Sequence, residues 1–155
     1  NNKFSAVVIS LFFALSLGGL LIRYFLEYPI YAATWWGWEN KAAIDYAKSY
    51  EGSFDNIFIS DYYSGMSLAF AVYHQVNPNE YRRALRNPIF MADGRKLFKF
   101  GKYYIGSLDI DEKRYNLGTI PAKSLYIGRP EEMDSKKNIY APGDGRIIYK
   151  IYNPE

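Results

Sequence analysis

Residues 4–22, FSAVVISLFFALSLGGLLI, run nineteen positions without a charge or a proline, and charge returns only at Arg23. As a helix this run is about 28 Å long, close to the ~30 Å hydrocarbon thickness of a bilayer. The pattern predicts a membrane span or the apolar region of a signal peptide. Two features favour the span. The run exceeds the roughly 7–15 apolar residues of a signal-peptide core, and its far end is followed by Arg23, Tyr24, Tyr28, Tyr31, Trp35, Trp36 and Trp38. A long cation and amphipathic rings suit a membrane–water boundary, where the stem or ring body stays in lipid and the polar tip reaches water. The span is assigned to residues 4–26, with residues 27–37, containing Pro29 and Gly37, as a juxtamembrane connector. The missing initiator methionine adds the expectation that the chain is a piece of a longer protein.

Within the run, Ala6, Ser10, Ala14 and Gly18 recur every four residues and share one side of the helix. Small side chains at that spacing let a second helix approach closely in lipid, so other transmembrane helices of the same protein are the expected neighbours. The alternative is compositional, because alanine, serine and glycine are frequent in all spans.

From Trp38 the periodicity changes to that of a folded domain. Ala43, Tyr46, Ala47 and Tyr50 form a helical stripe over 38–50, which Gly52 and Ser53 end. Asn56–Ser60 (NIFIS) predicts a short buried strand, Ser64–His74 a second helix, and Asn79–Arg86 a short basic helix closed by Asn87-Pro88. Lys96–Phe100 and Lys102–Leu108 flank Gly101 as paired strands, and Ser124–Gly128 and Arg146–Tyr152 read as two more. The predicted fold class is α/β: an N-terminal transmembrane helix followed by a small α/β domain, residues 38–155, with a mixed sheet.

Charge and composition remove several functions. The chain has 19 Lys+Arg, of which Lys3 and Arg23 precede residue 27, leaving 17 against 16 Asp+Glu in residues 27–155. This near-neutral part has no basic block, so nucleic acid is not an expected partner. With no cysteine there is neither a disulfide framework nor thiol chemistry. Sixteen tyrosines suit a domain beside a membrane or one handling sugars, and suit a packed core equally.

Candidate chemistry is sparse. His74 is the single histidine, at a helix end where a cation is favourable, and its expected role is structural. No dinucleotide or phosphate-loop glycine motif occurs, and Gly143-Asp144-Gly145 is explained as a turn needing positive φ. Asp109-Ile110-Asp111-Glu112 places two carboxylates one residue apart, the arrangement with which some sugar transferases hold a divalent cation on a nucleotide diphosphate. A solvated acidic turn explains it more simply, and no metal or other cofactor is assigned. Asp61, Tyr62, Tyr63 and Ser64 follow the first strand and open a helix, where ligands of open α/β sheets sit. They are ligand-crevice candidates for a sugar or peptide, although Asp61 or Ser64 serving as a helix N-cap is the favoured explanation.

A wider resemblance runs along the chain. The apolar helix and aromatic connector, Trp38-Glu-Asn-Lys-Ala-Ala-Ile-Asp-Tyr-Ala, Phe54-Asp-Asn-Ile-Phe-Ile-Ser, Asp61-Tyr-Tyr-Ser-Gly and Asn77-Pro-Asn-Glu-Tyr resemble the C-terminal region of polytopic GT-C glycosyltransferases. The group is the bacterial and archaeal one related to dolichyl-phosphate-mannose–protein mannosyltransferases. Phe100-Gly-Lys-Tyr-Tyr-Ile-Gly and Ser124-Leu-Tyr-Ile-Gly-Arg-Pro-Glu-Glu continue the likeness. It implies transfer of a sugar from a polyprenyl-phosphate donor, in the plasma membrane, with residues 27–155 extracytoplasmic. The family's catalytic carboxylates lie in a first extracytoplasmic loop with no counterpart here, so no catalytic residue is carried over and Asp109 and Asp111 are not promoted to that role. The implied chain is the last span plus an accessory domain, not catalytic alone. Its implied partners are membrane lipid, sister helices, the lipid-linked sugar and its acceptor. Arg23, near headgroup depth, is the candidate for the lipid phosphate, against a simpler role of snorkelling to bulk headgroups. The alternative is a single-span anchored domain that binds a partner without catalysis. A cleaved signal peptide ahead of a secreted binding domain is a third.

Overall fold

The computed structural model describes residues 2–32, 37–90, 95–108, 120–131, 135 and 137–153. The chain divides into two compact units, Asn1–Trp36 and Gly37–Glu155.

The first unit is a helical rod. Helix α1 (Asn2–Ile22) passes into a π-helical turn, Arg23–Glu27, and then into α2 (Tyr28–Ala32). The helical run therefore continues past residue 26 through most of the expected connector. Phe4–Ile30, 27 residues, is long and apolar enough to cross a membrane, and a signal sequence passes the same test of length and composition. Its large side chains are exposed, including Phe12 at 72 % and Leu15 at 68 %. Gly18 and Gly19 have open space where a Cβ would stand. In the π turn the Tyr28 N–H donates to the Arg23 carbonyl, and Arg23 Nε lies 3.9 Å from Glu27 Oε2. The Tyr24 ring stacks on Tyr28, centroids 5.9 Å apart and planes 2° from parallel.

The second unit is an α/β domain with a seven-stranded mixed sheet, as expected from the sequence. Its elements are α3 (Trp38–Ser49), a 3₁₀ turn at Glu51–Ser53, β1 (Asn56–Ile59), α4 (Met66–Tyr73), α5 (Pro78–Arg86), β2 (Ile89–Phe90), β3 (Lys96–Phe100), β4 (Tyr103–Ile105), β5 (Ser124–Gly128), β6 (Lys137–Tyr140) and β7 (Ile147–Tyr152). The spatial order is β2-β3-β4-β1-β5-β7-β6. Strand β1 is central and pairs in parallel with β4 (Ile59 opposite Ile105) and with β5 (Ile59 opposite Ile127). All other pairings are antiparallel. A central strand covered on both faces needs apolar side chains at consecutive positions, which is why NIFI and SLYIG lack a polar alternation.

One sheet face carries the three helices. Ala43, Ile44 and Ala47 of α3, Met66 and Phe70 of α4 and Ala84 of α5 meet Ile57, Ile59, Phe100, Tyr103, Ile105, Leu125 and Ile127. Helix α3 packs on β1 and β5, and α5 on β3. Helix α4 lies between, against α3 on one side and with Phe70 touching the rings of Phe100 and Tyr103 on the other. On the opposite face Phe58, Leu97, Leu108, Ile120 and Tyr126 form a second apolar cluster.

Three local features depart from the sequence reading. Helix α4 starts at Met66, two residues later than expected, and neither Asp61 nor Ser64 caps it. Gly65, at φ +82°, occupies the cap position, with no side-chain cap hydrogen bond. That left-handed geometry turns the chain into the helix at a glycine, which adopts it without a Cβ penalty. Strands β2 and β6 were not foreseen: β2 is two exposed residues, and β6 is a polar edge strand. By contrast the turn before β7 has Gly143 at φ +93° and Gly145 at φ +67°, as its sequence required. In that turn Arg146 N–H donates to Asp144 Oδ1 at 3.1 Å.

Candidate functional site

Because β1, β4 and β5 are parallel, their carboxyl ends emerge along one edge of the sheet at Ser60, Gly106 and Arg129. Ladder bonds knit that edge: Ser60 N–H donates to the Ile127 carbonyl at 2.9 Å, and Gly106 N–H to the Ile59 carbonyl at 3.0 Å. The loop 60–65 leaves β1 here and carries all four crevice candidates from the sequence. Asp61 and Ser64 are exposed, Tyr62 is 44 % exposed, and Tyr63 is half-buried. The two rings meet edge to face at 4.8 Å, and Tyr63 meets Tyr149 of β7 in the same way at 5.4 Å.

Residues from elsewhere in the chain complete the group. Arg129, just past β5, lays its guanidinium over the Tyr62 ring, 4.9 Å from the centroid. Glu39, in the first turn of α3, is only 2 % exposed. Arg146 Nη2 reaches Glu39 Oε1 at 3.4 Å, and its Nε lies 3.4 Å from Asp144 Oδ2. Asn40 Nδ2 donates to the Ser64 carbonyl at 3.0 Å, tying the tyrosine loop to α3. Among the described residues Asn40 Oδ1 and Ser60 Oγ, both on buried residues, have no hydrogen-bond partner. Burial pushes the Tyr63 hydroxyl above its ordinary pKa of 10.0; the Arg146 charge opposes this, and Glu39 reinforces it. Tyr63 is therefore a neutral donor at any physiological pH.

This edge presents rings, a stacked guanidinium, carboxylates and amide groups side by side. Such a set recognises a polar ring or a phosphorylated sugar by stacking and by charge-assisted hydrogen bonds. Among its described residues no hydrogen-bonded nucleophile–base pair is present. The sequence reading found the tyrosine loop but not Glu39, Arg129 or Arg146. A charged residue inside an apolar helical stripe was the available signal for Glu39.

The other candidates separate from this edge. His74 caps α4 and stacks on Phe70 at 4.8 Å, edge-on to Tyr103, with Nε2 4.0 Å from Glu51 Oε2. It belongs to the opposite, amino-terminal edge of the parallel strands. Asp109 and Asp111 lie outside the described residues, and among the described residues no three acidic or histidine side chains gather around a metal position. Arg23 belongs to the first unit, where with Ser16, Gly19, Leu20, Tyr24 and Tyr28 it lines an open groove of about 630 Å³. A second depression, about 460 Å³, lies between α5 and the β3–β4 turn, lined by Glu80, Arg83, Ala84, Asn87, Lys99 and Gly101.

Set against protein families, curated proteins and solved structures, the chain finds no match.

Proposed function

We propose that this chain is the C-terminal part of an integral-membrane glycosyltransferase, its last span followed by an accessory extracytoplasmic domain. The observation that carries the reading is the tyrosine–arginine edge at the carboxyl ends of the parallel strands, in a chain led by a helix of membrane-crossing length. A lipid-linked sugar offers a polar ring, a phosphate and a long apolar tail. In the second unit Tyr62, Tyr63 and Arg129 suit the sugar or the acceptor; in the first unit, taken by itself, Arg23 beside an apolar groove suits a lipid phosphate. The same reading follows from the resemblance of the residue pattern to that of polyprenyl-phosphate-dependent transferases. In this role the domain orients substrate above the membrane, and the bond-making carboxylate belongs to another part of the protein.

Membranes containing the whole transferase supply the test. Arg129→Ala and Tyr62→Ala lower sugar transfer from a polyprenyl-phosphate donor about tenfold, the weight of one charge-assisted contact. Unchanged transfer in both variants defeats the proposal. The domain's self-contained core also suits an anchored, non-catalytic binding module. Under that reading the coding sequence upstream of Asn1 adds no further spans, and the membranes transfer no sugar.

A further inference from the structure

Helix α4 leaves an apolar surface without cover. Of its eight residues only Ser67 is polar, yet Met66 and Phe70 alone are buried in the core. Leu68 is 57 % exposed, Val72 63 % and Tyr73 40 %. A helix in water ordinarily turns such a side inward and keeps polar residues outside. Its neighbours add cations. Lys41 of α3, itself paired with Asp45, stands over the Tyr73 ring at 5.6 Å. Helix α5, the next on the same sheet face, carries Arg82, Arg83 and Arg86 against a single acid, Glu80. Leu85 of α5 and Ile89 and Phe90 of β2 are also exposed, at 38 %, 42 % and 64 %.

We infer that the outer face of α4, with the basic flank of α5, docks on the headgroup–acyl boundary of an anionic bilayer. Leu68 and Val72 enter the acyl boundary, Tyr73 sits at headgroup depth, and the arginines meet lipid phosphate. This inference rests on the reading of the leading helix as a membrane span. An apolar helical face bordered by cations is the arrangement that holds interfacial helices to anionic lipid. The acidic and tyrosine-rich edge described above lies on loops at the end of the sheet and remains available to substrate.

The full chain contains no cysteine, so single cysteines report individual positions without background. Leu68→Cys, Val72→Cys, Asp144→Cys and Leu15→Cys are each spin-labelled in the full chain, reconstituted in nanodiscs of neutral or one-third anionic lipid. All four sites are exposed, and circular dichroism confirms the fold of each variant. Docking gives labels at 68 and 72 an oxygen-to-nickel-chelate collision ratio several-fold above that at 144, greater in anionic than in neutral discs. Labels at 68 and 72 as open to the nickel chelate as at 144 overturn the docking. So do labels shielded from both reagents, which mark a protein surface as the occupant. The Leu15 label separates the two premises: if it reads as lipid while 68 and 72 read as water, docking fails and the span stands. If 15 reads as water too, both fall.

Discussion

The two ends of the parallel strands use similar side chains to opposite effect. At the amino-terminal edge, Lys102 donates to the Glu51 and Phe54 carbonyls, so its amine stitches the 3₁₀ turn to the sheet. Phe70 meets His74, Phe100 and Tyr103 ring against ring. At the carboxyl-terminal edge, Tyr62, Asp61 and Ser64 face solvent, and Arg129 spreads over a ring that is itself 44 % exposed. Polar groups at the first edge are spent on the fold; at the second they are held in position but left accessible. Substitution at the amino-terminal edge therefore costs stability first, and at the carboxyl-terminal edge costs binding first.

The strongest way to break this contrast is Phe70→Ala. Phe70 is 1 % exposed and joins α4 to β3, β4 and His74. Removing a buried phenyl ring costs about 3–5 kcal/mol. Chemical denaturation of the variant should show that loss, with the carboxyl-terminal edge failing only because the whole domain does. A loss below about 1 kcal/mol, less than one buried methyl-scale change, would mean that the lower edge is no more structural than the upper.

Glu39 and Arg146 test the contrast from the other side, since they form an ion pair at the carboxyl-terminal edge with a buried member. Arg146→Met leaves the buried Glu39 carboxylate without the Arg146 guanidinium. Breaking a wholly buried pair costs about 3–5 kcal/mol, and the half-exposed arginine reduces this to about 1–3. Glu39→Gln combined with Arg146→Met should recover part of the loss, because the stranded charge is then gone. If the double variant is less stable than Arg146→Met alone, the pair is not the source of the effect.

How much of this was legible beforehand follows from range. Strands β1 and β5 announce themselves because a central strand writes its burial into consecutive residues. The tyrosine loop follows β1 directly, so its place at a strand end was readable too. Glu39 and Arg146 are 107 positions apart, and no local pattern joins them. Arg129 was visible only as part of a longer run resembling a family, because stacking on Tyr62 depends on the β1–β5 register. Edge strands β2 and β6 were missed for the converse reason: an exposed edge imposes no alternation. The capping rule misled at Asp61 and Ser64, because Gly65 enters the helix through backbone geometry, which the rule does not weigh.

Alkaline pH should sharpen the comparison with a smaller effect. Burial raises the Tyr103 hydroxyl above its ordinary 10.0, and the Glu51 carboxylate adds to this. Burial, with Tyr50 beside it, pushes Tyr46 up to about 12. A raised tyrosine pKa means that the folded state holds its proton longer than the unfolded chain. The stability linked to it is complete below pH 10 and is lost as pH climbs through the folded values. Denaturation midpoints should therefore be flat from pH 7 to 9.5 and fall between 10 and about 12. Tyr103→Phe should shallow that fall.

The smallest expected stability change is at Arg129, and there the two edges should separate most clearly. Its guanidinium covers an exposed ring, and an exposed cation–π contact contributes about 0.5–1 kcal/mol. Arg129→Lys keeps the charge but loses the planar fork, so stability should change by less than Arg129→Ala, within about 0.5 kcal/mol. Binding should behave differently. A planar fork makes paired bonds to a phosphate or carboxylate that an ammonium cannot reproduce, so lysine should rescue little of the affinity for a sugar phosphate. Isothermal titration of the full chain in detergent, with a short-chain prenyl-phosphate sugar, measures this directly. If lysine restores binding fully, Arg129 supplies charge alone. If alanine leaves binding intact, the carboxyl-terminal edge is as structural as its counterpart and the contrast between the two ends disappears.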